Sequence, residues 1–136
     1  MAERTFDAVL DQLDDVLAFV DEQLDLIDCP MKSRMQVQIA AEEIFVNIAS
    51  YAYQPGTGKA DILVETAKDP RSVTITFKDR GVPYNPLAKE DPDISLSAED
   101  RPIGGLGIFM TKKSMDEMKY EYRDGQNVLT IRKLLG

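Results

Sequence analysis

The sequence predicts an α+β fold, a two-layer sandwich with helices on one face of a largely antiparallel sheet. Two long segments with apolar residues at helical spacing follow one another in the first half of the chain. Two pairs of short segments with alternating polarity come after them, each pair closed by a turn and separated from the other by one more helical stretch. The expected order is β-α-α-β-β-α-β-β.

Each element has its own signal. Arg4 to Val9 reads as a short opening strand. Leu13, Val16, Leu17, Val20, Leu24 and Ile27 fall on one helical face, giving a helix from about Leu10 to Ile27. Asp28-Cys29-Pro30 breaks it, and Pro30 suits the first turn of the next helix. That helix runs from about Met31 to Ala52, with Val37, Ala41, Ile44, Ile48 and Ala52 on its buried face, and Pro55, Gly56 and Gly58 end it. Ile62 and Val64, then Val73, Ile75 and Phe77, alternate with polar neighbours in two half-buried strands joined through Asp69-Pro70-Arg71. Asp79 to Pro86 is rich in turn residues. Leu87 to Ile103 is acidic, aperiodic and long for a connection, which marks it as a functional lid or a disordered segment. Gly104 to Gly107 opens a third helix reaching about Glu117. Lys119 to Arg123 and Asn127 to Lys133 close the chain as a hairpin turned by Asp124-Gly125.

Composition narrows the function. The 136 residues fit one compact domain. The hydrophobic share of 43% allows a core, and no apolar run is long enough to span a bilayer. The start, with no basic segment before an apolar one, and the lone Cys29 lead to the expectation of a cytoplasmic protein. A net charge of −8 argues against nucleic acid and anionic membranes as partners. It leaves nucleotides open, because a divalent cation and backbone N–H groups hold phosphates on acidic proteins. There is no histidine, so Ser-His-Asp, Cys-His and histidine-metal chemistry are excluded within this chain.

Three constellations carry candidate chemistry. In Glu42-Glu43-Ile44-Phe45-Val46-Asn47, Glu43 and Asn47 are four residues apart and project from one helix face, with Ala40 and Ser50 leaving room nearby. An amide oxygen beside a carboxylate suits a hard cation such as Mg²⁺, with Asn47 as ligand and Glu43 orienting or deprotonating a nucleophile. The same spacing is also common on solvated helix faces. In Asp79-Arg80-Gly81-Val82-Pro83-Tyr84-Asn85-Pro86, an ionised Asp79 is an acceptor suited to an exocyclic amino group such as adenine N6. Gly81 permits a backbone path other residues resist and lets a flat ring approach the main chain. A connecting turn would look alike. Gly104-Gly105-Leu106-Gly107 exposes N–H groups at a helix N-terminus to an anion, or serves as a hinge. Neither a Walker loop nor a dinucleotide fingerprint is present.

In this order and spacing, the Glu-x-x-x-Asn, Asp-x-Gly-x-Pro and Gly-Gly-Leu-Gly segments resemble the ATP-binding domain shared by gyrase-type topoisomerases, heat-shock chaperones, mismatch-repair ATPases and histidine kinases. The resemblance covers about residues 5 to 133. Ile103-Gly104-Gly105-Leu106-Gly107-Ile108-Phe109-Met110, with Met115 to Tyr120 and Asn127-Val128-Leu129, is most similar to the stand-alone anti-sigma-factor serine kinases. The resemblance implies a Bergerat-type sandwich of mixed sheet and helices, with ATP between them. It implies Asn47 as Mg²⁺ ligand, Glu43 as general base, Asp79 as adenine acceptor and Gly81 as the turn beneath the base. It further implies Gly104, Gly105, Leu106 and Gly107 as phosphate loop, a lid at about 87–103, and Arg101 reaching the γ-phosphate. Tyr51 departs from the histidine that many members carry. In the last strand, Asn127, Val128 and Thr130 remain alternatives for the residue near the base.

By the same resemblance the expected activity is an ATP- and Mg²⁺-dependent serine/threonine protein kinase. Its substrate would be a small anti-sigma-factor antagonist of the STAS type that competes with a sigma factor or another target. A homodimer is compatible with this. The alternatives are a non-enzymatic ATP-gated binding switch and a histidine-kinase half working in trans. The last is disfavoured because no segment bearing a target histidine is present.

Overall fold

A computed structural model describes residues 1–53, 56–88 and 105–135. Strand β1 (Ala2–Asp7) is followed by a 3₁₀ turn (Leu10–Gln12), helix α1 (Leu13–Leu26) and helix α2 (Met31–Asn47). A π turn (Ile48–Ala52) extends α2, and strands β2 (Lys59–Lys68) and β3 (Arg71–Asp79) come next. A 3₁₀ turn (Pro86–Ala88), helix α3 (Gly105–Ser114) and strands β4 (Glu117–Arg123) and β5 (Gln126–Leu134) complete the described order.

The strands form one sheet in the order β1-β2-β3-β5-β4, and every pairing is antiparallel. Among the described residues every strand pairing is thus antiparallel, in keeping with the largely antiparallel sheet that the sequence predicts. Alternation decides which face is covered. Phe6, Ile62, Val64, Val73, Ile75, Phe77, Leu129 and Ile131 are buried on the inner face. They meet Val16, Phe19, Val20 and Leu24 of α1 and Val37, Ala41, Ile44 and Phe45 of α2 in one core.

Three boundaries move from the sequence expectation, each for a tertiary reason. Strand β1 starts at Ala2 and stops at Asp7, because its register on β2 ends at Asp7 opposite Lys59. Ala8 then turns inward, buried, its N–H donating to Gly58 O at 2.8 Å. Helix α3 ends at Ser114 rather than near Glu117. The Asp116 N–H donates to Arg132 O at 2.9 Å and its carboxylate accepts from Leu134 N–H at 2.7 Å, so the chain has already joined the sheet. The third change lies in the long helix, whose last turn widens to π winding over Ile48–Ala52.

Helix α1 ends at Leu26 with Ile27 as its C-cap, after which Asp28 takes a left-handed φ of 50°. The guanidinium of Arg71, the first residue of β3, donates to the carbonyls of Ile27 and Asp28. Arg34 of α2 pairs with Asp21 at 2.6 Å and Asp25 at 2.8 Å, tying the two helices together.

Candidate active site

The site begins where the alternation of β3 runs off the core. Val73, Ile75 and Phe77 point inward, so Asp79, next on that face, is carried inward too and is only 6% exposed. Its register partner on β5 is Asn127, also buried. Asp79 Oδ1 accepts from Asn127 Nδ2 and from Gly81 N–H, both at 2.9 Å. Asn127 Nδ2 also donates to Val82 O at 2.9 Å, and its Oδ1 accepts from Tyr84 N–H at 3.1 Å and from the Tyr120 hydroxyl. Burial pushes the Asp79 carboxyl above its ordinary value, and the bonds from Asn127 and Gly81 oppose this only in part.

Gly81 is held by the π turn. A Cβ there would lie 2.2 Å from Ala52 O and 2.5 Å from Ala52 C, both main-chain atoms. Beside it, Val82 N–H donates to that same carbonyl at 2.9 Å. The glycine is thus required by close approach of the chain's own backbone, and its φ is not left-handed. Gly81→Ala is expected to destabilise the fold by about 1–3 kcal/mol, the usual cost of overpacking. Thermal unfolding measures it, and a variant that melts with the wild type would mean that Ala52 gives way freely.

Glu43 and Asn47 are one turn apart on α2, and both are half-buried. Burial, with a smaller contribution from the neighbouring Glu42 charge, raises the Glu43 carboxyl above the usual carboxylate value. Its carboxylate lies against Gly107, since a Cβ on Gly107 would fall 2.1 Å from Glu43 Cδ and Oε1. Gly105, Leu106 and Gly107 are the first three residues of α3, whose opening N–H groups have no partner within the helix. Thr111, four residues on and buried, donates its hydroxyl to Gly107 O at 3.0 Å.

Beside these parts lies a cleft that is open to solvent at its mouth. Asn47 and Tyr51 line it from α2 and the π turn, Asp79 and Asn127 from the sheet, Tyr84 from the β3 exit and Ile108 from α3. Three separated segments therefore converge. Glu43 and Gly107 meet one turn along α2 from Asn47, and Gly81 packs behind the lining at Ala52. Arg101, Gly104 and the lid expectation from residue 89 onward lie outside the described residues.

Of the three β5 alternatives, Asn127 lines the cleft, while Val128 and Thr130 belong to the opposite face of the strand. A sequence signal for this exists: Asn127, Leu129 and Ile131 alternate as one inward set. The Tyr84 main chain and the Tyr120 hydroxyl, which complete Asn127's bonding, have no such signature. Among the described residues no group of three or more Cys, Asp or Glu side chains is arranged to hold a metal ion. The donors present suit a cation that takes one or two protein oxygens and completes its shell with water and phosphate.

Comparison with known proteins decides the family. The model of the histidine kinase-like ATPase domain matches residues 6–133. The chain belongs to this family. Within the histidine kinase-like ATPase domains, it is 32% identical over 98 residues to the serine/threonine-protein kinase BtrW of Bordetella bronchiseptica, covering 72% of this chain and 68% of that one. It is 30% identical over 100 residues to the serine-protein kinase RsbW of Bacillus cereus. That match covers 71% of this chain and 61% of the relative, so it spans less than two thirds of that kinase. The fold is shared with the RsbU and RsbW domains of Rv1364c from Mycobacterium tuberculosis, with a TM-score of 0.68 at 17% identity over 99% of this chain and 33% of that one. It is also shared with a chain of the SiaB-SiaC complex from Pseudomonas aeruginosa, with a TM-score of 0.60 at 15% identity over 96% and 89% of the two chains.

Proposed function

We propose that this histidine kinase-like ATPase domain is a serine/threonine protein kinase that binds ATP with Mg²⁺ in the α2–β3–β5–α3 cleft. Its substrate would be a small anti-sigma-factor antagonist of the STAS type in a partner-switching pathway. The observation supporting this reading is that Asn47, Asp79 and Ile108 of α3 line one cleft, while Glu43, one turn along α2 from Asn47, lies against Gly107 at the start of α3. Relatives named as serine kinases support the reaction type.

The donor set fits the nucleotide. Asp79, buried with Oδ1 committed to Asn127 and Gly81, retains its second oxygen for a donor entering the cleft, as adenine N6 would be. The Asn47 amide oxygen is a hard ligand for the cation. The N–H groups of Gly105, Leu106 and Gly107 open a helix whose dipole favours phosphate. Bound Mg²⁺-ATP supplies the activated phosphoryl group. Glu43 accepts the proton of the partner's serine hydroxyl, and its raised carboxyl moves the onset of this base role to higher pH.

Phosphosite mapping of proteins recovered from native lysate with and without Mg²⁺-ATP tests the substrate. ATP-dependent phosphoserine or phosphothreonine on a small partner is expected, and acid-labile phosphohistidine would overturn the reading. Asn47→Ala is expected to weaken Mg²⁺-ATP on the order of tenfold, about 1.4 kcal/mol, with a much smaller effect on metal-free ADP. Titration calorimetry measures both, and equal losses would remove Asn47 from the metal role.

A further inference from the structure

Helix α2 is apolar on two faces, and only one is packed. Val37, Ala40, Ala41, Ile44 and Phe45 lie in the core. On the opposite side Met31, Met35 and Ile39, each four residues from the next, form a row exposed at 68%, 55% and 59%. Large apolar side chains scattered singly on a surface need no explanation, but a continuous row along a helix marks a contact surface. Methionine, unbranched and polarisable, adapts to the shape of what it meets.

Charge says what meets it. Arg34 and Gln38 form the column of α2 next to this row, each three residues from Met31 or Met35. Arg34 holds Asp21 and Asp25 at 2.6 and 2.8 Å, and Gln38 donates to Asp21 at 2.8 Å. The apolar row is therefore flanked directly by α1. From Thr5 to Met31 the chain carries eight carboxylates and no lysine or arginine. Asp14, Ala18, Glu22 and Asp25 are exposed along α1. Glu42, exposed, closes the far end of the row on α2, and Lys32 lies on its other flank. An apolar strip with an acidic border on one side is the complement of an amphipathic helix with a basic border.

We propose that this α1–α2 face docks a basic amphipathic helix of a partner protein. The helix seats its apolar side on Met31, Met35 and Ile39 and sets its lysines or arginines over Asp14, Glu22 and Asp25. A second copy of the chain fits badly, because a two-fold contact through this face brings the two acidic α1 surfaces together. Anionic lipid is repelled for the same reason. The proposal is independent of the nucleotide reading, since none of these residues lines the cleft.

The test uses the full chain and a fluorescein-labelled five-turn peptide of about 18 residues, with leucine on one face and lysine on the other. A control peptide of equal charge carries glutamine for leucine. Fluorescence anisotropy is expected to show binding of the leucine peptide that weakens with salt, and at least about tenfold weaker binding of the control. Met35→Asp and Ile39→Asp are each expected to weaken the leucine peptide by about tenfold or more. Their melting temperature should stay unchanged, because both positions are exposed. Asp14→Asn combined with Glu22→Gln should lower affinity and flatten the salt dependence. Wild-type affinity in both apolar variants would overturn the proposal, as would equal binding of the glutamine peptide. So would sedimentation showing a wild-type dimer that Met35→Asp dissociates, since a second copy would then own the face.

Discussion

Glu43→Gln is expected to lower phosphoryl transfer to a serine partner by roughly 10²–10⁴-fold, the usual contribution of a positioned general base, while ATP binding persists. Glutamine keeps the length of the side chain and its fit against Gly107, and removes only the ability to accept a proton. Single-turnover transfer from labelled ATP, beside a binding isotherm for the same variant, separates the two effects. Transfer at the wild-type rate would exclude Glu43 as the base, whereas ATP binding with no transfer by the wild type would favour an ATP-gated binding switch. The pH dependence has a defined sign. A base acts when ionised, so wild-type transfer rises with pH through the Glu43 value, which burial sets above that of an ordinary glutamate. Stability runs the other way. A carboxyl whose folded value is raised binds more protons folded than unfolded, so its contribution is fully present at low pH and is lost as pH rises through the folded value. The substituted amide does not titrate. The variant should therefore gain thermal stability relative to wild type as pH rises across that window, an assay that needs no partner and no nucleotide.

The parts of this site that are legible in the sequence are those set by local periodicity. Glu43 and Asn47 follow from helical spacing, and the hairpins follow from alternation and turn residues. Asp79 reads as the start of a turn, yet it continues the inward set Val73, Ile75, Phe77 and is the last residue of β3. The same rule applied to β5 separates Asn127 from Val128 and Thr130. What periodicity cannot carry is long-range. One turn of π winding at Ile48–Ala52 shifts the phase too little to read against a helical pattern. The reasons for Gly81 and Gly107 lie 29 and 64 residues away, at Ala52 and Glu43, and exist only once the layers are packed. The end of α3 is likewise set by the register of β5, through Asp116, and not by its own residues.

Asp79→Asn tests the nucleobase end of the cleft and separates fold from recognition. The wild-type carboxylate is buried, with Oδ1 accepting from Asn127 and Gly81. An asparagine oxygen can accept both of those bonds, so the packing at the end of β3 is preserved. The buried charge disappears, and with it the desolvation that raises the Asp79 carboxyl. By the same sign argument as for Glu43, the variant should match or exceed wild-type stability at neutral pH. Recognition changes instead. The amide places an NH₂ where the second carboxylate oxygen stood, so a donor in the cleft meets a donor. Loss of a hydrogen bond to a charged acceptor is worth about 1.5–3 kcal/mol, so ATP affinity should fall on the order of 10–150-fold. Guanine presents an acceptor, O6, where adenine presents its amino group. Selectivity for ATP over GTP should therefore shrink together with ATP affinity. Competition binding with both nucleotides, run beside thermal melts, distinguishes the cases. A stable variant with unchanged ATP affinity would show that Asp79 serves the strand end and not the base, and the cleft would then have to read its ligand elsewhere.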